Sequence, residues 1–233
     1  MCVMPSNRNT REISFGGERL WLDPAAAVYM PDHATLIVSD LHLEKGSFLS
    51  QTGAPVPLYD SVETLLNLKS LVEYYKPQQV VLLGDTFHDR HALARLPETQ
   101  RELLHGLSLS VTGWFWVAGN HDPDLNLDLP GVTTTQHRVG NLHLSHEPVK
   151  GFDPLVVGHF HPKISTHIQG HKVKGKVFIS DPGLLILPAF GTYAGGLLTT
   201  HSIYKEYFRV TPTQFMILRD KIWKIPDKVS RQL

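Results

Sequence analysis

The hydrophobic and polar positions of this chain follow two different rhythms. Between residues 34 and 120, continuous apolar runs alternate with segments of helical periodicity. "ATLIVSD" (34–40), "QVVLLGD" (79–85) and "GWFWVAGN" (113–120) read as buried strands. "YDSVETLLNLKSLVEYYK" (59–76) places Val62, Leu65, Leu66, Val72 and Tyr75 at helical spacing and is stopped by Pro77. "PETQRELLHGL" (97–107) has a proline at a first helical position and ends near Gly106. Strand–helix–strand–helix–strand predicts parallel strands joined by crossover helices. Beyond residue 140 the rhythm shortens. "NLHLSHE", "PLVVGHF", "PKISTHI", "GKVFIS", "LLILPAF" and "GGLLTTH" are strand-like pieces divided by Gly and Pro, and "FMILRDKIWKI" reads as a hairpin around Arg219-Asp220. The expectation is an α/β protein in which a half with crossover helices packs on a strand-rich half.

Composition narrows the function. The 233 residues are 42% hydrophobic and 19% charged, enough for a packed core and too apolar for disorder. Lys plus Arg and Asp plus Glu are balanced at 22 each, so no strongly basic nucleic-acid-binding domain or polybasic membrane segment is indicated. Cys2 is the one cysteine, which excludes an internal disulfide and a thiolate-rich metal site. The start "MCVMPSNRNT" has no apolar signal core, and no run is long enough for a bilayer, so the expected protein is soluble and cytoplasmic, without a membrane partner. There is no repeat and no interdomain linker.

The unusual count is histidine, at 14. Polar clusters follow five apolar runs: "SDLH", "LGDTFHD", "AGNHD", "LSHE" and "VVGHFHP". Sites in open α/β sheets form beyond the carboxyl ends of strands, where Asp40, Asp85 and Asn120 fall. Asp40 and His42 alternate around Leu41, as do His159 and His161 around Phe160; in extended loops each pair would point one way. Oxygen and imidazole donors without thiolate suit Mn, Fe, Zn, Ni or Co without selecting among them. A carboxylate at the mouth of a core strand is costly unless neutralised. Asp85 becomes tolerable if it bridges two cations, and Gly84 before it permits the sharp turn.

Taken in order, D-x-H at 40–42, G-D at 84–85, G-N-H-D at 119–122, His146 and G-H-x-H at 158–161 resemble the calcineurin-like binuclear metallophosphoesterase superfamily. The resemblance spans nearly the whole chain and implies one domain over 1–233, a four-layered α/β/β/α sandwich of two mixed β-sheets flanked by helices. It also implies a ligand set. One metal would be held by Asp40, His42, Asp85 and His161, and the other by Asp85, Asn120, His146 and His159. His121 would face the substrate phosphate as a catalytic acid, its ring oriented by Asp122. "DLHLEKGSF", "LGDTFHD", "AGNHDP", "SHEP", "GHFHP" and "LPAFGTYAGGL" are similar to the ligase-associated DNA damage response endonuclease family, PdeM. That likeness implies a Mn2+-dependent phosphodiesterase cutting DNA, single-stranded by preference. It implies functional association with a DNA ligase, an exonuclease-like protein and a helicase. The chain departs from the family in reading "SDPGLLILPAFG", without basic residues before "LPAFG". The alternative is a phosphatase or nucleotide hydrolase acting on a small phosphoester; a scaffold without catalysis would not need the full donor set.

Other polar residues have blander readings. His88 and Asp89 fit either support of the ligands or capping of the next segment. Arg90, His91 and Arg95 read as a solvated face, and His143 as turned away from His146. His33, His105, His137, His167, His171 and His201 are ordinary polar residues. "KVKGK" (172–176) reads as a solvated hairpin, "FGTYAGG" as a tight turn, and Glu44 and Lys45 have no assigned role.

Overall fold

The computed structural model describes residues 8–51, 53, 56–123, 128–168 and 170–226. Cys2 and the N-terminal stretch lie outside the described residues. The order is β1 (Arg11–Phe15), β2 (Glu18–Asp23), β3 (Ala27–Met30), β4 (Thr35–Val38), α1 (Lys45–Gln51), α2 (Asp60–Tyr75), β5 (Gln79–Leu83), α3 (Ala92–Arg95), α4 (Glu98–Leu109) and β6 (Gly113–Val117). There follow β7 (Val132–Thr134), β8 (Gln136–Val139), β9 (Leu142–Ser145), β10 (Leu155–Val157), β11 (Lys163–Ile168), β12 (His171–Ser180), β13 (Leu184–Ile186), α5 (Tyr204–Tyr207), β14 (Thr213–Leu218) and β15 (Lys221–Lys224).

Two mixed sheets stack face to face. The first runs β1-β2-β3-β4-β5-β6-β7. β4, β5, β6 and β7 are parallel, with α2 and α4 as the crossovers between β4, β5 and β6, while β1 to β4 form an antiparallel meander. The second runs β15-β14-β12-β13-β10-β9-β8, with β11 paired to β12. Here β9, β10 and β13 are parallel and the flanking pairs antiparallel.

Strand alternation sorts side chains into layers. Leu36, Val38, Val80 and Leu82 face α2 and α4, meeting Leu65, Leu68, Leu71, Leu104 and Leu107. Their neighbours Ile37, Val81 and Leu83 face the other way, onto Leu144, Val156, Phe178 and Leu185 of the second sheet. The outer face of that sheet is covered by Tyr204 and Phe160 over Val157, Val177, Ile179 and Ile186, so the fourth layer is carried by one short helix and loops. Among the described residues no helix is long and apolar enough to cross a membrane.

Several sequence readings need adjusting. The buried stripe of α2 is Leu65, Leu68, Leu71, Val72 and Tyr75, whereas Leu66 is 52% exposed. Pro97 caps α4 from outside, and the helix continues through Gly106 to Leu109. "GGLLTTH" is not a strand. Its backbone is drawn onto the 160–163 loop by Leu197 N–H to Phe160 O (3.3 Å), Lys163 N–H to Leu197 O (2.9 Å) and Thr199 N–H to Lys163 O (2.8 Å), leaving only an isolated bridge between Leu198 and Lys163. The hairpin at Arg219-Asp220 forms as expected, both residues being left-handed (φ 50° and 54°), the geometry of a tight two-residue turn.

Candidate metal centre

Loops at the carboxyl ends of β4, β5, β6, β9 and β10 supply the polar residues. Two of these loops are zipped together: Asp40 N–H donates to Gly84 O (3.1 Å), His42 N–H to Asp85 O (2.9 Å) and His88 N–H to Leu43 O (3.0 Å). Leu41 and Leu43 are buried at 2% and 0%, so Asp40 and His42 turn together to the opposite side. They do so without being extended. Asp40 (φ 57°), His42 (47°), Glu44 (65°), Asp85 (48°), His159 (68°) and His161 (46°) are all left-handed, and the expectation of extended ligand loops is corrected accordingly. Each such non-glycine residue costs about 1–3 kcal/mol, a strain that persists only where the surroundings impose it. Gly84 (φ 80°) is required sterically as well, because a Cβ there would fall 2.2 Å from His146 Nδ1.

The donor atoms form two groups. In the first, His161 Nε2 lies 3.0 Å from Asp40 Oδ1 and 3.1 Å from His42 Nε2, and ligand atoms of Asp40, His42, Asp85 and His161 all fall within 4.8 Å of one another. In the second, Asn120 Oδ1 is 3.0 Å from both His146 Nε2 and His159 Nδ1. One oxygen, Asp85 Oδ2, belongs to both: it is 3.8 Å from His42 Nε2 and 3.4 Å from His146 Nε2.

The electrostatics call for positive charge at this point. Burial alone would raise the Asp40 carboxyl, but the His161 hydrogen bond and the charges of His161 and His146 outweigh it, holding it below the usual carboxylate range. Asp85 is likewise held low, burial being outweighed by His146 and by the His121 N–H that donates to its Oδ1 at 2.9 Å. His146 answers the two carboxylates: burial opposes its charge, yet Asp85 and Asp40 push it up to about 9. His42, 4% exposed, is pushed down to about 3 by burial, so it stays neutral, and its Nδ1 finds no hydrogen-bond partner. Two buried carboxylates, a neutral imidazole and an amide oxygen converging without thiolate fit divalent cations. The His146 Nδ1–H donates to Leu83 O (3.0 Å), so Nε2 is the nitrogen turned to the donor group and the one a cation would take in place of its proton.

His121 sits beside the first group, its ring centroid 5.0 Å from that of His42. Its Nδ1 is 2.8 Å from His88 O, and its ring stacks on His88 at 5.1 Å. Asp122 therefore does not orient His121. It is 5% exposed, and its carboxylate accepts Gly119 N–H (2.9 Å) and Phe87 N–H (3.0 Å), stitching the Asp85 loop to the Asn120 loop. Burial, then the Asp85 charge, pushes Asp122 up to about 6.

Neighbouring residues resolve readings left open above. Asp89 accepts His91 N–H (2.8 Å) and pairs with Arg95, which makes Arg95 a partnered residue and not a solvated one. Glu44 is buried and clamped to α2: Ser61 Oγ accepts its N–H (2.7 Å), and its Oε1 accepts the Ser61 hydroxyl. His143 packs on Phe152. In "FGTYAGG", Gly191 serves close approach, since a Cβ would lie 2.2 Å from Leu41 O; Phe190 N–H and Gly191 N–H donate to Ser39 O and Asp40 O. Ser39, missed in the sequence, donates its hydroxyl to Asp40 Oδ2; its only signal was a hydroxyl directly before a strand-end carboxylate. A cavity of about 330 Å³, lined in part by Asn120, His146 and Glu147, opens beside the second donor group.

With this geometry in hand, comparison with known proteins is decisive at the family level. The sequence model of the calcineurin-like phosphoesterases matches residues 33–230. The chain belongs to that family. Among solved structures, the phosphoesterase is similar to the nuclease MPE of Pseudomonas putida, with a TM-score of 0.70 and 25% identity over 93% of this chain and 100% of that one. It also matches the E. coli phosphoesterase Yfce, with a TM-score of 0.40 and 17% identity over 82% of this chain and 97% of that one. No curated protein sequence matches it. The family is one of binuclear metal-dependent hydrolases, and the His–Asp cluster is where this phosphoesterase would hold metal.

Proposed function

We propose that this phosphoesterase is a Mn2+-dependent phosphodiesterase that cuts DNA internally, with single strands as its preferred substrate and DNA repair as its setting. The observation that carries the reading is Asp85 Oδ2, shared between two donor groups with His121 alongside. The similarity to a nuclease, over 93% of this chain and 100% of that one, supports a nucleic acid as the substrate class. Asp40, His42, Asp85 and His161 would hold one cation, and Asp85, Asn120, His146 and His159 the other. When bound, two such cations would supply an activated water and stabilise charge on the phosphoryl oxygens.

The chain's own residues do the rest. Asp85 carries charge to both positions and is fixed by the His121 amide. Because the His88 carbonyl keeps the Nδ1 proton of His121, Nε2 is the nitrogen left for substrate, and it donates towards the leaving alkoxide when the ring is doubly protonated. Nε2 sits on a ring packed against His88 and His42, which restricts its motion. Asp122 and Ser39 keep the three loops in register without touching substrate.

The equality of acidic and basic residues favours a second reading, hydrolysis of a small phosphoester. Incubating the Mn2+-loaded chain with single-stranded DNA, duplex DNA and small phosphomonoesters side by side separates the two. Faster cutting of the single strand is expected. Turnover of the monoesters alone would replace the DNA reading with the second one.

A further inference from the structure

The loop between β9 and β10 has two sides. One brings His146, Glu147 and Val149 to the cavity beside the second donor group. The other, from Pro148 to Phe152, lines a separate cavity of about 400 Å³ that the site as described does not use; Val149 belongs to both. That volume falls within the range of small-ligand sites. Across the cavity lies α5, where Tyr204 is buried at 1% but Tyr207 is 37% exposed and reaches the cavity. Phe160 stands between Tyr207 and the second donor group: its ring is 5.1 Å from that of His159 and 5.2 Å from that of Tyr207. Phe152, 4.6 Å from the His143 ring, is a second aromatic in the wall, beside Val149, Leu155 and Leu184. Much of the wall's charge is already spent. Asp181 accepts Gly183 N–H (2.9 Å), Leu184 N–H (2.7 Å) and Arg209 N–H (3.0 Å), and the Arg209 guanidinium pairs with Asp153 at 2.5 Å. Among the described residues, the side chains of Lys150 and Glu206 make no hydrogen bond or ion pair.

We propose that this cavity is a nucleobase subsite, which takes the base of a nucleotide flanking the reacting phosphate, with Tyr207 as its stacking platform. The inference rests on the nuclease reading and deepens it by naming what separates a strand from a small ester. Three observations favour a base over a second phosphate or an apolar side chain. The aromatic rings in the wall offer the faces on which any base stacks. With the Arg209 guanidinium held by Asp153, the wall presents no cluster of free cations to an anion. Lys150 and Glu206 supply a donor and an acceptor, and the edge of a nucleobase carries partners for both. Continuity fixes the order along the strand. A phosphate entering between Asn120 and His146 has its neighbouring nucleotide reach the second cavity across Val149. A base can enter only when unpaired and unstacked, which gives the preference for single strands a physical source.

The test compares wild type, Tyr207→Leu and Tyr207→Phe as full-length, Mn2+-loaded proteins. Leucine keeps an apolar contact for Phe160 and lacks the aromatic face; phenylalanine keeps the face. Anisotropy is measured with two short, labelled, phosphorothioate-linked single strands of equal length, one of thymidylates and one abasic throughout. Wild type should bind the thymidylate strand about tenfold more tightly than the abasic one. Tyr207→Leu should lose about tenfold on the thymidylate strand and little on the abasic one, and Tyr207→Phe should recover most of the loss. Bound metal and kcat on bis(p-nitrophenyl) phosphate should stay near those of wild type in both variants. Equal affinity of wild type for the two strands would overturn the subsite without recourse to a variant. So would an undiminished thymidylate affinity in Tyr207→Leu, an equal loss on both strands, or a loss of metal or small-diester turnover. Thymidylate binding by wild type without cleavage of the same strand in unmodified form would instead count against the nuclease reading while leaving the subsite standing. Absence of binding to either strand would overturn both.

Discussion

The two donor groups share an oxygen yet sit in different surroundings. The first is enclosed. Asp40, His42 and Asp85 are 0%, 4% and 2% exposed, and the loops carrying them are tied to each other and to the Phe190-Gly191 strap. The second is open on one side: Asn120 is exposed, His159 half-buried, and the cavity beside them reaches solvent. If both groups hold cations as proposed, the enclosed one would retain its ion and the open one would exchange its ion and admit the phosphate. The strain is also unevenly spread. Asp40, His42, Asp85 and His161 are left-handed and all belong to the enclosed group, whereas His159 is the one such residue confined to the open group.

The sharpest way to break this contrast is to remove the atom that joins its halves. Asp85→Ala should lower activity by at least about 10²–10³-fold and reduce bound metal from two towards one or none, as read by elemental analysis. Full metal occupancy in that variant would refute the shared ligand. Next in size is His121→Ala. Metal content and fold should stay near normal, with a loss of about 10²–10⁴-fold on a diester with an alkoxide leaving group. The loss should be much smaller on a nitrophenyl diester, whose leaving group needs little protonation. Equal losses on both would remove the acid role; loss of metal would move His121 among the ligands.

The asymmetry itself predicts a third outcome. Asn120→Ala should release one metal and keep the other, whereas Asp40→Ala should disturb the enclosed position first. Stepwise chelation should empty the open position before the enclosed one. Mn2+ should restore turnover at least as well as Mg2+, because the site offers several imidazoles and Mg2+ prefers oxygen ligands and ordered water.

The smallest effect lies behind the strap. Lys176 Nζ donates to Phe190 O (3.2 Å) and Gly191 O (3.1 Å), and burial, then Lys163, pushes it down to about 8 from 10.5. Between those values the unfolded chain holds a proton that the folded chain has released, so stability rises with pH across the window and is flat below it. Denaturation midpoints of wild type relative to Lys176→Met should therefore climb from pH 7.5 to pH 10. A constant difference would mean that this amine titrates as it does in the unfolded chain.

Much of this was legible beforehand because the signals were local. β4, β5 and β6 announce themselves as apolar runs bounded by glycine and carboxylate, and "LGD", "GNHD" and "GHFH" mark the loops that meet. The β1–β2 hairpin was passed over, although Gly16-Gly17, with φ of 59° and 81°, lies between two strand-like runs. Other features were not legible because they depend on distant backbone. The His121 ring is held by a carbonyl 33 positions away, and a main-chain oxygen leaves no trace in residue identity. Asp122 looked like the natural partner because it is the next residue, yet the amides of Gly119 and Phe87 had the better geometry. Left-handed ligand loops likewise cannot be inferred from D-x-H, since alternation of side-chain direction survives the change in backbone.

The central claim, that Asp85 joins two cations, is tested most directly by electron paramagnetic resonance of the Mn2+-loaded protein at two equivalents. The account predicts the signature of an exchange-coupled Mn2+ pair, replaced in Asp85→Ala by that of isolated ions at lower occupancy. Magnetically isolated ions in the wild type, or an undiminished coupled pair in Asp85→Ala, would contradict it.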